Sequence, residues 1–205
     1  MDKSRKILEA GLLELNLPAN EAQIELLLAF VLLIEKWNKA YNLTAIRSRE
    51  EMLRLHILDS LALLPFVSGN KIADIGTGAG LPGIPLAIFM PNQQFTLVDS
   101  NSKKTRFVQQ AILELKLKNI EVVHSRVENL ARPAEFDAVL SRAFASLDDI
   151  MKLTEYLLQE NGVLIAMKGQ KPQEELDSLK RPYLVDMIVV PGIEAERCVV
   201  RINKT

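Results

Sequence analysis

From residue 71 to residue 202 the chain alternates short β-type runs with stretches of connecting sequence, and this pattern constrains the fold most. The runs are KIADIG (71–76), FTLVDS (95–100), IEVVHS (120–125), FDAVLS (136–141), GVLIAMK (162–168), LVDMIVV (184–190) and RCVVRI (197–202). Parallel neighbours need a long crossover between them. The first five runs are spaced for such crossovers, which predicts a parallel sheet with helices on both faces. Only PGIEAE joins the last two runs, a length that suits a hairpin at the end of the sheet. The expected architecture is α/β and Rossmann-like: seven strands, mostly parallel, with a terminal antiparallel strand. Such a sheet binds its ligand beyond the carboxyl ends of its strands, so whatever follows each strand is a candidate site residue.

The first 65 residues read as helices only. One spans about 4–15 and stops before Leu17-Pro18. A second starts at a predicted N-cap, Asn20, with Gln23 three residues on, and runs to Trp37. A third covers about 49–64, with Met52, Leu55, Ile57, Leu58 and Leu61 on its apolar face. Pro65 and the SGN at 68–70 mark a boundary. The predicted organisation is an N-terminal helical extension, 1–65, and a Rossmann-like domain, 66–205.

A formal net charge of −1 excludes a globally basic nucleic-acid binder and leaves room for a local basic face. The single cysteine, Cys198, permits no intrachain disulfide, so a cytoplasmic setting is expected. The N-terminus mixes both charge signs and lacks an apolar signal core. The longest uncharged apolar run, 26–34, falls short of the roughly 20 residues that span a bilayer, so no membrane partner is expected.

After the first strand comes ADIGTGAGLPGIPLA (73–87), with glycines at 76, 78, 80 and 83. Glycines there permit a tight turn and let a ligand approach the backbone, and Pro82 suits a first helical turn. Asp99 ends the second strand, where a carboxylate can accept both ribose hydroxyls of an adenosine, as NAD and S-adenosylmethionine each require. Gly78-Ala-Gly80-Leu-Pro-Gly83 even satisfies the dinucleotide fingerprint. Asp74 separates the two readings. A carboxylate aimed into the cleft repels a pyrophosphate and attracts an ammonium and a sulfonium. With no second nucleotide half, the expectation is a class I S-adenosylmethionine-dependent methyltransferase.

The acceptor follows partly by elimination. The stretch after the fourth strand, SRAFAS (141–146), lacks the Pro-Pro-aromatic turn common in base amino-group methylation. Cys198 lies inside a strand, where packing rather than nucleophilic attack is expected. His56 and Asp59 in HILDS are one helical turn apart and read as structural or RNA-contacting rather than as an acid–base pair. No metal-ligand cluster is present, so no metal is expected, and no catalytic side chain is assigned. A ring nitrogen with a free lone pair, such as guanine N7, needs no base, and catalysis then reduces to alignment.

KWNKAYNLTAI (36–46), HILDSL (56–61), DIGTGAGLPGIPLA (74–87), SRVENL (125–130), SRAFASL (141–147) and KGQ (168–170) occur in this order and at this spacing. Together they resemble the glucose-inhibited division protein B (RsmG) family, bacterial methyltransferases that make 7-methylguanosine in a loop of 16S ribosomal RNA. The resemblance implies that Gly76, Leu81, Val127, Glu128 and Arg142 contact S-adenosylmethionine. Asp74, Gly78, Gly80 and Asp99 join that cofactor set on the reasoning above. Glu128 or nearby amides would hold the adenine edge. Arg142, with its multi-donor fork, would serve the cofactor or anchor the RNA. The partner implied is 16S ribosomal RNA, naked or in a small-subunit particle, acted on by a monomer. Lys103, Lys104, Arg106, Arg126, Lys168 and Lys171 follow strand ends and form an expected basic rim, with Lys103, Arg106 and Lys168 as candidate RNA contacts. Trp37 and Tyr41, four apart on one helix, read as packing residues before base-stacking ones. The rival readings are a nucleotide- or RNA-binding module without turnover and an NAD-dependent oxidoreductase.

Overall fold

The computed structural model describes residues 3–142 and 145–204. Ala143 and Phe144 of the SRAFAS stretch lie outside them. Helix α1 covers Lys3–Glu14 and α2 covers Glu21–Tyr41. Asn20 caps α2 as a capping box: its side chain accepts the Gln23 amide, and the Gln23 side chain accepts the Asn20 amide. The third predicted helix is one rod in three hydrogen-bonding modes. It starts as α3 (Arg49–Met52), widens to a π-helix over Leu53–Leu58 and continues as α4 (Asp59–Leu61). Helical periodicity cannot distinguish such a π segment, although these segments collect at functional sites.

Seven strands follow: β1 (Lys71–Ile75), β2 (Gln94–Asp99), β3 (Ile120–His124), β4 (Phe136–Arg142), β5 (Leu158–Lys168), β6 (Tyr183–Ile188) and β7 (Arg197–Asn203). They form one sheet in the order β3-β2-β1-β4-β5-β7-β6. The pairs among β1–β5 are parallel, while β7 runs antiparallel to both β5 and β6. The terminal hairpin is present, with its second strand inserted beside β5 and its first left at the sheet edge. Helices α5 (Gly83–Phe89), α6 (Ser102–Leu115), α7 (Leu147–Thr154) and α8 (Gln173–Ser178) connect β1 to β2, β2 to β3, β4 to β5 and β5 to β6, whereas the β3–β4 crossover carries only a 3-10 turn, Val127–Asn129. No helix among the described residues is long and apolar enough to cross a membrane.

Alternation along the strands divides the interior into two cores. Ile72, Phe95, Leu97, Leu140 and Ile165 face α1, α2, the rod of residues 49–61, α5 and α6. Ala73, Ile75, Val98, Val139 and Cys198 face α7 and α8. The N-terminal helices thus cover one face of the sheet. Trp37 packs in tilted contacts with Tyr41, at 5.0 Å between ring centroids, and with Phe107 of α6, at 5.9 Å, which makes both α2 aromatics helix-packing residues.

One polar side chain fastens the layer of α5 to the entry of β3. Asn119 is buried, and its amide nitrogen lies 3.1 Å from each of the carbonyl oxygens of Ala87, Met90 and Gln93. Asn119→Ala leaves these carbonyls without that donor and should cost about 1–3 kcal/mol in chemical denaturation, the penalty of unsatisfied buried polar groups. A change within experimental error would show that water replaces the amide.

Candidate functional site

The sheet reverses strand order at β1, which neighbours both β2 and β4, and a crevice opens beyond the strand ends at that point. A cavity of about 600 Å³ occupies it. It is lined by Gly76 after β1, by Asp99, Asn101 and Lys104 at and after the end of β2, by Ser125–Glu128 after β3 and by Arg142 at the end of β4. Each group arrives there because it follows a different parallel strand.

The glycine turn is built by two carboxylates. Asp99 Oδ2 accepts the Gly78 amide at 2.9 Å, and Oδ1 accepts the Asn101 amide at 2.8 Å. Asn101 in turn caps α6 by accepting the amides of Lys103 and Lys104. Asp99 therefore couples the turn to the start of α6 while still facing the cavity.

Asp74 was expected to aim into the cleft, and the structure places it elsewhere. It is buried beneath the turn and is absent from the cavity lining. Its Oδ2 accepts the Thr77 hydroxyl at 2.7 Å and the Gly83 amide at 2.9 Å, while Oδ1 has no hydrogen-bond partner among the described residues. The first amide of α5 is thus turned inward to Asp74 rather than toward a ligand. Pro82 stands just outside the helix as its N-cap, after a cis peptide bond.

The glycines differ in what they do. Gly78 has φ +60°, and a Cβ there would meet only the Gly76 carbonyl at 3.9 Å, so its outer side is open. Gly80 has φ +78°, and a Cβ there would strike Ile84 at 2.5 Å, so Gly80 serves close packing of turn and helix. Leu81 is buried in the first core and does not border the cavity. Val127 and Glu128 do border it, on a turn fixed by the Tyr156 hydroxyl, which lies within reach of the carbonyls of Val127 and Leu130.

The basic rim is uneven. Lys103 and Arg106 are exposed on α6, and Lys104 and Arg126 border the cavity. Lys168 is not free to meet a phosphate. Its ammonium donates to the Ala145 carbonyl at 2.9 Å and pairs with Glu175 at 3.0 Å, which neutralises it and ties β5 to α8.

A second cavity, of about 420 Å³, lies beside the first. Its lining includes Ile46, His56, Asp59, Met167, Gly169, Arg197 and, shared with the first cavity, Arg142. His56 and Asp59 lie in one wall, as their spacing suggests, but each is engaged separately. His56 Nε2 lies 2.9 Å from the Thr44 hydroxyl and Nδ1 lies 3.1 Å from the Leu55 carbonyl. Asp59 is buried between Arg197, at 2.9 Å, and Arg142, at 3.4 Å. Arg197 was missed from the sequence: it is 138 residues from Asp59, and no local motif marks it. Asn101 was missed as well, although an Asn before a helical run is an N-cap signal.

The WNKAYNLT motif supports this wall. Asn38 accepts the Thr44 amide and donates to the Ile46 carbonyl, which holds the segment that presents Thr44 to His56.

Comparison with known proteins agrees with this geometry. Residues 23–198 match the model of the GidB family, described as rRNA small subunit methyltransferase G. The chain is 51% identical over 203 residues to a Legionella pneumophila (strain Philadelphia 1) protein named ribosomal RNA small subunit methyltransferase G, covering 99% of this chain and 96% of that one. A protein of the same name from Pseudomonas syringae pv. tomato is 46% identical over 97% of this chain and 95% of its own. Among solved structures, M. jannaschii TYW2 in complex with AdoMet aligns with a TM-score of 0.56 at 17% identity, over 72% of this chain and 74% of that one. The tRNA (m1A58) methyltransferase TrmI from Aquifex aeolicus aligns with a TM-score of 0.57 at 16% identity, over 72% and 69%. These structural likenesses show the class I methyltransferase fold.

Two buried groups here titrate in opposite senses. His56 is lowered from 6.5 to about 4, because burial disfavours the imidazolium and the Arg142 guanidinium repels it. Asp74 is raised from 3.8 to about 6, chiefly by burial, against the Thr77 and Gly83 hydrogen bonds. As pH falls from 6.5 toward 4, the unfolded chain takes up a proton at His56 that the native protein resists, so stability drops. Over nearly the same range the native protein binds a proton at Asp74 that the unfolded chain does not, so stability rises. The two offset one another. In Asp74→Asn only the His56 loss remains. Between pH 6.5 and 4 the denaturation free energy of that variant should fall more than that of the wild type, by on the order of 3 kcal/mol. Parallel pH profiles would show that Asp74 does not titrate in this window.

Proposed function

Because this chain belongs to the GidB family, rRNA small subunit methyltransferase G, we propose that it transfers a methyl group from S-adenosylmethionine to N7 of a guanine in 16S ribosomal RNA. The observation that carries this reading is the pair of adjacent cavities at the strand ends, with Arg142 in the wall of both.

The first cavity fits the cofactor. Its volume, about 600 Å³, lies within the range of small-molecule sites. Asp99 keeps lone pairs for the ribose hydroxyls beside those used by Gly78 and Asn101, and Glu128 and the 125–128 backbone face the position of the base. The open side of Gly78 admits a ligand against the backbone. Gly80, Leu81 and Asp74 act on cofactor binding through the shape of the turn. When bound, S-adenosylmethionine would supply an electrophilic methyl on a sulfonium, with the sulfide as leaving group, and a guanine N7 could accept that methyl through its free lone pair without losing a proton.

The residues therefore align and exclude water rather than exchange protons. His56 is neutral near pH 7, and its nitrogens are taken up by Thr44 and Leu55, consistent with a supporting role. In this reading the protein acts as a monomer in the cytoplasm, where ribosomal RNA is accessible. Labelled S-adenosylmethionine, offered with deproteinised 16S RNA and with small-subunit particles, should label one guanine, located by borohydride–aniline cleavage. Absence of transfer to either substrate would overturn the reading. Transfer to only one would tell naked RNA from the assembled particle.

Asp99→Asn, which keeps the side-chain volume, loses charge-assisted hydrogen bonds worth ~1.5–3 kcal/mol each. Calorimetry should show S-adenosylmethionine affinity reduced at least about tenfold, and an unchanged affinity would remove Asp99 from the ribose site. On the RNA side, Lys103→Ala should reduce the slope of log affinity against log salt by roughly 0.7, one phosphate contact on single-stranded RNA. Lys168→Ala should leave that slope unchanged, because Glu175 already neutralises its charge. Equal effects from both would mean that the Lys168–Glu175 pair opens when RNA binds.

A further inference from the structure

Resting on the methyl-transfer reading above, we propose that the second cavity seats the acceptor guanine and that Arg142 identifies the base by donating to its O6.

For transfer, N7 must face the first cavity from the second. O6 is the next polar atom along the same edge of guanine. The side chain standing between the cavities therefore meets O6, and Arg142 borders both. Its guanidinium has donors to offer. Toward the described residues only Nη1 is engaged, at 3.4 Å to Asp59 and 3.5 Å to the Leu55 carbonyl, both long contacts. Adenine presents an amino group at the same place, a donor facing donors, so it is rejected.

Asp59 makes such an arginine compatible with the chemistry. The transferred methyl leaves a positive charge on the purine, which an unpaired guanidinium beside O6 would oppose. The buried carboxylate between Arg142 and Arg197 lowers the net charge of that wall, and the tight Arg197 contact keeps Asp59 in place. Apolar contact for a flipped base comes from Ile46 and Met167, which line the cavity. Gly169 borders the same cavity and is exposed, and a Cβ there would meet no heavy atom within 4 Å, so a larger side chain has room at this position.

That empty space provides the test. Gly169→Phe, or the smaller Gly169→Leu, should occupy the cavity without disturbing the turn, leave calorimetric S-adenosylmethionine affinity unchanged, and cut transfer to 16S RNA by about tenfold or more. Wild-type transfer by both plugged variants would overturn the seat while leaving the methyl-transfer reading intact; no transfer by the wild-type protein would instead fail that reading. A second measurement addresses O6 and does not depend on any variant. Synthetic RNA carrying inosine at the mapped acceptor position keeps O6, and RNA carrying 2-aminopurine lacks it. The wild type should methylate the inosine RNA within a few-fold of guanine and the 2-aminopurine RNA about tenfold or more slower, the discrimination expected for one base-edge contact. In Arg142→Met the guanine and 2-aminopurine rates should converge. Equal wild-type rates on guanine and 2-aminopurine, or undiminished discrimination in Arg142→Met, would overturn the assignment.

Discussion

The buried carboxylate of Asp59 links the parts of the fold that make the site. It sits in the rod of N-terminal helix and takes one arginine from the end of β4 and another from the start of β7. An ionised carboxylate with so little contact with water is strongly unfavourable alone, so it fixes both arginines and, through them, the distance between the helical layer and the sheet. The π-helical stretch just before it places His56 and Asp59 in one wall. Removing one arginine would leave a buried charge incompletely paired, which is why local changes in this cluster are expected to reach both cavities.

A parallel division of work governs the glycine turn. Two carboxylates are spent on backbone amides. Asp74 works from below on Thr77 and Gly83, and Asp99 works from the side on Gly78 and Asn101. The ligand-facing surface is then mostly backbone and strand-end side chains held by rigid elements, the arrangement that alignment without proton transfer requires. Lys168 shows the same economy. A cation at a strand end, suited by position to a phosphate, is committed to Glu175 and holds α8 to the sheet.

The periodic features of the fold were legible because their physics is local. Strand alternation, the Asn20–Gln23 capping box and the glycine spacing are each encoded within a few residues, and the strands and the α2 cap appear where the sequence puts them. Parallel connection also brings Asp99, Val127, Glu128 and Arg142 to one edge, because each follows a strand running the same way. The sequence by itself therefore determined the fold class and which strand ends meet. Only the tertiary structure decided what each side chain does there. Whether Asp74 faces a ligand or the amide of Gly83 depends on the path of the turn, and whether Lys168 is free depends on Glu175 docking against it. The pairing of Asp59 with Arg197 spans 138 residues, and neither residue carries a periodic or motif signal for the other. Long-range charge pairing is fixed by packing geometry and desolvation, which act only once the chain has closed on itself.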